Sequence, residues 1–313
     1  MVIDMADNLY VNTVLGKLSA NELGITSYHE HLGMKPGTDS RFIDSVFDDP
    51  AMLIPEVNDF FAAGGKTLVE MSPLNFGRNV KAYREIALKT SVNIICSTGF
   101  HKQEFLPDWI EKKDDESIEE ILLKEITSGI DSTNIKAGVV KIGTSFNEIT
   151  KQEQKIIKIC CKVQKRCGVP ISTHSDKGTM VEDQCHLFEK FDANPSKVII
   201  GHADIINGFS ILKNICAIGF NVGIDHIGRH LEDFDSTRIT LIKELIDAGF
   251  IDQICIAGDF GKKGYLKSYG GRPGLAYIPG QFRESLRQHS FEEDEINKIL
   301  VENPKRIFGF IRI

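Results

Sequence analysis

AGVVKIGTSFNEITKQEQKIIKICCKVQKRCGVPISTH, residues 137–174, contains one complete strand–helix–strand unit. Its first run, AGVVKIG (137–143), is apolar at consecutive positions around Lys141, as expected of a strand covered on both faces. In 150–168 the apolar residues Ile156, Ile157, Cys160, Cys161 and Val163 recur three and four apart, the period of a helix face. Thr150 and Glu153 have capping-box spacing, and Gly168-Val169-Pro170 ends the helix. PISTH (170–174) then reads as a second strand. A helix returning the chain to a neighbouring strand makes the pair parallel.

The same alternation extends in both directions. Strand-like runs precede at 25–32 (ITSYHEHL), 66–72 (KTLVEMS) and 92–99 (VNIICSTG), and follow at 197–202, 220–225 and 253–259. Eight such units predict an α/β fold of the (β/α)8 TIM-barrel type, with a doubly wound open sheet as the alternative. No GxGxxG or GxxxxGK fingerprint follows a strand, which lowers the alternative. With no linker or repeat in view, residues 1–313 are expected to form one domain. Ser290 and Glu293 suggest the start of the last helix, which is expected to stop before Asn303-Pro304.

Composition narrows the function. Lys plus Arg number 37 against 44 Asp plus Glu, a net charge of -7, so no excess of cations is available to displace counterions from nucleic acid or anionic membranes. No apolar run approaches the roughly 20 residues of a bilayer span. The N-terminus lacks the basic and apolar regions of a signal peptide. Seven cysteines without a CxxC pair suit a reduced, cytoplasmic protein.

Strand side chains alternate between faces, so His29 and His31 project together while Glu30 points the other way. Lys141 lies in the fourth strand, and His174, His202 and Asp259 close the fifth, sixth and eighth. In a barrel these ends converge on the C-terminal face, where active sites of this fold are built. Imidazoles and a carboxylate in one mouth suit divalent first-row metals, zinc first, with manganese or cobalt as alternatives. A cationic Lys141 would be repelled there. A neutral lysine resolves the conflict, and so does its capture of CO₂ as a carbamate anion able to bridge two metals. Asp225 and His226 close the seventh strand, where they could line the pocket or orient a ligand.

These residues lie in stretches that resemble the phosphotriesterase-related family of the amidohydrolase superfamily: TVLGKLSANELGITSYHEHL (13–32), EMSPLNFGRNV (70–80), AGVVKIGT (137–144), ISTHSDKGTM (171–180), VIIGHAD (198–204), VGIDHIG (222–228) and the GD of IAGD (256–259). The resemblance implies two divalent metal ions. His29, His31 and Asp259 would hold the more buried one and His174 and His202 the more exposed, with carboxylated Lys141 and a hydroxide bridging both. It implies Asp259 as the catalytic base, and none of these positions departs from the family pattern.

Two loops, TGFHKQEFL (98–106) and GDFGKKGYLKSYGGRPGLAYI (258–278), look most like the branch that opens phosphorylated sugar lactones. They bring Lys102, Lys262, Lys263, Lys267 and Arg272 toward the mouth of an acidic protein, where cations would attract a phosphorylated small molecule. His101, Lys102, Lys262 and Arg272 are the expected substrate contacts, Arg272 as the phosphate clamp. The alternatives are a phosphotriesterase or carboxylesterase, an N-acyl amino acid amidohydrolase, or a non-catalytic metal-binding barrel. Related barrels often pair, which brings a homodimer into consideration.

Overall fold

The structure, a computed structural model, describes residues 9–34, 40–229 and 234–310. The first eight residues, read above for a leader, lie outside them. An antiparallel hairpin comes first, β1 (Tyr10–Thr13) and β2 (Gly16–Ser19). The sheet follows as β3 (Thr26–Glu30), β4 (Thr67–Glu70), β5 (Asn93–Gly99), β6 (Val139–Thr144), β7 (Ile171–Ser175), β8 (Val198–Ile200), β9 (Asn221–Ile224) and β10 (Ile254–Ile256). Neighbours in chain order pair in parallel throughout. Each strand falls on one of the eight expected runs.

Between the strands run α1 (Pro50–Ala62), α2 (Val80–Lys89), α3 (Trp109–Lys112), α4 (Asp115–Thr127), α5 (Lys151–Cys167), α6 (Val181–Lys190), α7 (Phe209–Ile218) and α8 (Phe234–Asp247). This is the (β/α)8 barrel. In α5 the Thr150 hydroxyl accepts from Glu153 N at 3.2 Å, and Glu153 accepts from Thr150 N at 2.8 Å. Gly168 ends the helix in the left-handed region at φ 71°.

The barrel seam depends on a side chain. Asp259 N donates to His29 O at 2.9 Å, and the Glu30 carboxylate accepts from Gly258 N at 2.9 Å and Phe260 N at 3.0 Å. Glu30, on the face away from the histidines, therefore ties β3 to the end of β10. Burial raises its carboxyl to about 7, against the opposing pull of those hydrogen bonds.

Tyr28, Val69, Met71, Ile95, Val139, Ile199 and Cys255 fill the barrel and pack onto Val11, Leu23, Ile307 and Phe308. The hairpin is pinned there by Phe310 N donating to Tyr10 O at 3.0 Å. The N-terminal end is thus closed by apolar side chains, and the opposite end carries the cavity.

The C-terminal helices depart from expectation. After α9 (Arg283–Gln288), Ser290 sits at φ 64°, and the capping box that opens α10 (Glu293–Asn297) is Glu292 with Glu295. Glu292 has the extended backbone an N-cap needs, whereas Ser290 is left-handed. Asn303-Pro304 does not stop the helix either. A π turn over Lys298–Glu302 leads into α11 (Asn303–Phe308), whose first turn tolerates the missing proline N–H.

Gly99 ends β5 at φ +95°, and a Cβ there would lie 2.1 Å from the Lys141 carbonyl oxygen. Gly99→Ala is expected to destabilise the protein by about 3 kcal/mol or more, read from denaturant midpoints. An unchanged midpoint would show that this close approach does not set the β5–β6 spacing.

Candidate metal centre

All six expected ligand positions reach the open end of the barrel, along one cavity of about 260 Å³. β3 delivers His29 and, just past its end, His31; β6 delivers Lys141 and β7 delivers His174. His202 and Asp259 lie just past β8 and β10. His31 Nε2 is 3.0 Å and His29 Nε2 3.5 Å from Asp259 Oδ1. His174 Nδ1 is 2.7 Å from His202 Nε2. Lys141 Nζ lies 3.3 Å from His29 Nε2 and 3.3 Å from Thr173 O. The His29 and His202 rings stack at 5.5 Å, so the two groups form one assembly.

One buried carboxylate orients a ring in each group. Asp225 Oδ2 faces His29 Nδ1 at 2.9 Å and accepts from the Tyr28 hydroxyl. Its Oδ1 faces His202 Nδ1 at 2.8 Å and accepts from His202 N at 3.1 Å. An imidazole that donates its Nδ1–H to a carboxylate keeps the Nε2 lone pair for a metal. His31 is set similarly: its Nδ1 is 2.8 Å from Ser72 Oγ, which donates to Glu70 Oε1 at 2.7 Å. Gly223 makes room for this arrangement, since a Cβ there would meet the Tyr28 hydroxyl at 1.7 Å.

The electrostatics follow from burial and these partners. Burial lowers His29 to about 3, so its ring is neutral, and lowers Lys141 to about 8. Burial also depresses His101 and His174. His31 is lifted to about 9, because burial is outweighed by its hydrogen bonds to Asp259 and Glu70. Asp225 and Asp259 are held well below the ordinary carboxylate range despite burial, Asp225 mainly by His202 and Asp259 mainly by Arg229.

Asp225 and His226 were expected to line the pocket or orient a ligand and do lie at the mouth, whereas Arg229, Asp204 and Glu70 were not singled out from the sequence. Arg229 Nη2 lies 2.6 Å from Asp259 Oδ2, and its guanidinium sits 5.2 Å from the Tyr265 ring centre. His226 Nε2 is 3.8 Å from Asp259, and its Nδ1 is 3.2 Å from Asp204 Oδ1, which also places Asp204 beside the mouth. Glu70 obeys the same strand-end rule as the ligands and could have been found by it. Arg229 lies in a loop, where spacing carries no directional signal.

The expected substrate contacts separate. His101 and Lys262 line the cavity together with Arg41, Arg229 and an apolar wall that includes Phe42 and Phe76. Lys102 is turned to Asp176 at 2.6 Å. Arg272 is not brought to the histidines; it lines a different cavity with Lys267.

The donor set fits a divalent cation. His29, His31 and Asp259 offer ligand atoms that all lie within 4.8 Å of one another. His174 Nε2 is buried with no hydrogen-bond partner among the described residues, as expected of an atom meant for a ligand outside the chain.

A barrel mouth built this way, with imidazoles backed by carboxylates, belongs to the metal-dependent hydrolases. The chain matches the phosphotriesterase family over residues 9–308 and is a member of it. It is 32% identical to a phospho-furanose lactonase of Mycoplasmopsis synoviae over 327 residues, covering 97% of this chain and 93% of the relative. A lactonase from Listeria monocytogenes superposes with a TM-score of 0.92 at 29% identity, covering 97% of this chain and all (100%) of the other. The Escherichia coli phosphotriesterase homology protein, solved with phosphate in its active site, gives 0.88 at 29% identity over 92% of this chain and 99% of its own. No helix among the described residues is long and apolar enough to cross a membrane.

Asp225→Asn is expected to weaken metal retention by about 10–100-fold, measured as metal per chain after dialysis against a graded chelator. Wild-type retention in a folded variant would remove the orienting role.

Proposed function

We propose that this hydrolase opens the ring of a phosphorylated sugar lactone, with two divalent metals at the mouth. The observation that carries the reading is the joint lining of one cavity by the ligand set and by Lys262, a cation suited to a phosphate, beside the Arg229 that pairs with Asp259. Two relatives, a phospho-furanose lactonase and a protein holding phosphate in its active site, support it.

His29, His31 and Asp259 would hold one metal and His174 and His202 the other, with Lys141 between them. Zinc suits this histidine-rich set best, and manganese or cobalt also suit it. When bound, such cations supply acidified water and polarise a carbonyl. Lys141, lowered to about 8 by burial, holds a usable fraction of neutral amine near pH 7 to 8. Its Nζ lone pair can bond the carbon of CO₂ and release a proton, which leaves a carbamate anion where an ammonium would be repelled.

Asp259 is placed to take the proton of the attacking water and return it to the ring oxygen as the acyl–oxygen bond breaks. His226, 3.8 Å from Asp259 and paired with Asp204, offers a path for that proton toward solvent. The apolar wall of Phe42 and Phe76 suits the face of a sugar ring, and the product is an open-chain phosphorylated aldonate. All seven cysteines are free, which supports a reducing, cytoplasmic setting.

Chelation is expected to abolish hydrolysis, and readdition of zinc, manganese or cobalt to restore it. Full turnover by metal-free protein would end the reading. Asp259→Asn should lower kcat by about 10²–10⁴. Lys262→Ala should raise KM at least about tenfold, roughly 1.4 kcal/mol, for phosphorylated lactones and change it little for unphosphorylated ones. Faster turnover of a paraoxon-type ester or an N-acyl amino acid than of any phosphorylated lactone would transfer the assignment to that class.

A further inference from the structure

The last barrel loop has two cationic faces. Lys262 lines the histidine cavity, whereas Lys267 and Arg272 line a separate cavity of about 540 Å³, larger than the 260 Å³ of the mouth. We propose that this second cavity is an anion site that takes a phosphate-bearing small molecule, independently of the metal centre.

Charge is the first argument. Asp235 is the acidic residue in the lining, and its carboxylate is already committed. It accepts from Gly228 N at 3.1 Å, the Tyr277 hydroxyl at 2.7 Å and Arg238 Nη1 at 2.8 Å. Lys267 and Arg272 have no carboxylate partner among the described residues. Two cations with no carboxylate partner among the described residues thus share a concave surface on a chain of net charge -7. Both side chains are exposed to an incoming ligand, and a guanidinium can meet a phosphate through two parallel N–H bonds. His289 and Gln281 add polar groups to the same lining.

Preorganisation is the second argument. Arg272 N donates to Gly264 O at 3.0 Å, Gly271 N to Leu266 O at 2.9 Å and Gly274 N to Tyr265 O at 2.8 Å. Gly271 packs so closely that a Cβ would meet the Gly264 carbonyl carbon at 2.4 Å. The backbone presenting Arg272 is therefore fixed before any ligand arrives, so binding need not order it.

The test is calorimetric titration of the full metal-loaded chain with inorganic phosphate, beside the same titration of Lys267→Ala/Arg272→Ala and of Arg272→Gln. Two phosphates per chain are expected for wild type. The double variant should lose one of them, and Arg272→Gln should weaken that one at least tenfold. Lys262→Ala should weaken only the other, so failure here is distinguishable from failure of the lactonase reading. A single phosphate that both Arg272 variants bind as tightly as wild type, while folding as wild type by circular dichroism, would overturn the proposal.

Discussion

A carboxylate with no access to solvent organises the open end of this barrel. Burying an anion is costly unless it is paired and fully hydrogen-bonded, and Asp225 meets that condition through the Tyr28 hydroxyl, two imidazoles and the His202 amide. Because His29 and His202 fall in the two different ligand groups, the groups share one anchor. Neither ring can turn without leaving part of that carboxylate unsatisfied. Both rings are consequently oriented through Nδ1 by the protein itself, which leaves their Nε2 atoms for other partners.

Much of the fold was legible because its signals are local. The β6–α5–β7 unit announced itself through an apolar run, a capping box and a helix-ending glycine, each within a few residues of the others. The last helices were misread for a reason equally local. Ser290 with Glu293 and Glu292 with Glu295 both have the spacing of a box, and only the backbone at Ser290, left-handed at φ 64°, decides between them. The pattern was right about Glu30 pointing away from the histidines. Its role at the barrel seam depends on Gly258 and Phe260, whose arrival beside it is a tertiary fact.

At the site, legibility divides between strands and loops. Along a strand the period of two fixes which way a side chain points, so His29 and His31 could be paired from spacing, and Lys141 and His174 were placed in the same mouth because they lie toward the ends of barrel strands. A loop has no such period. Lys102 was expected at the substrate and instead meets Asp176, 74 positions away in sequence. Lys262 and Arg272 belong to one loop yet face two cavities. The sign of the charge on that loop was readable, but its direction was set by the turns that Gly264, Leu266 and Tyr265 stabilise. Arg229, which contacts Asp259 more closely than any expected loop cation, had no signal beyond its charge.

Two of the ligand positions lie in strained backbone. His202 and Asp259 adopt φ values of 59° and 46°, a left-handed region that costs a non-glycine residue of order 1–3 kcal/mol. They lie two and three residues past the ends of β8 and β10, where the ladder no longer holds the chain extended. Each is held by contacts of the site itself: His202 N by Asp225, and Asp259 by its amide bond to His29 O and by Arg229. The apolar plug at the opposite end supplies stability and reaches the mouth through Tyr28, which donates to Asp225, and Met71, which lines the cavity. Strain can therefore be concentrated where the chain must turn a side chain inward over the barrel axis. The seam and the site are coupled for the same reason, since the amide of Asp259 that helps close the sheet belongs to the residue whose carboxylate meets His29, His31 and Arg229.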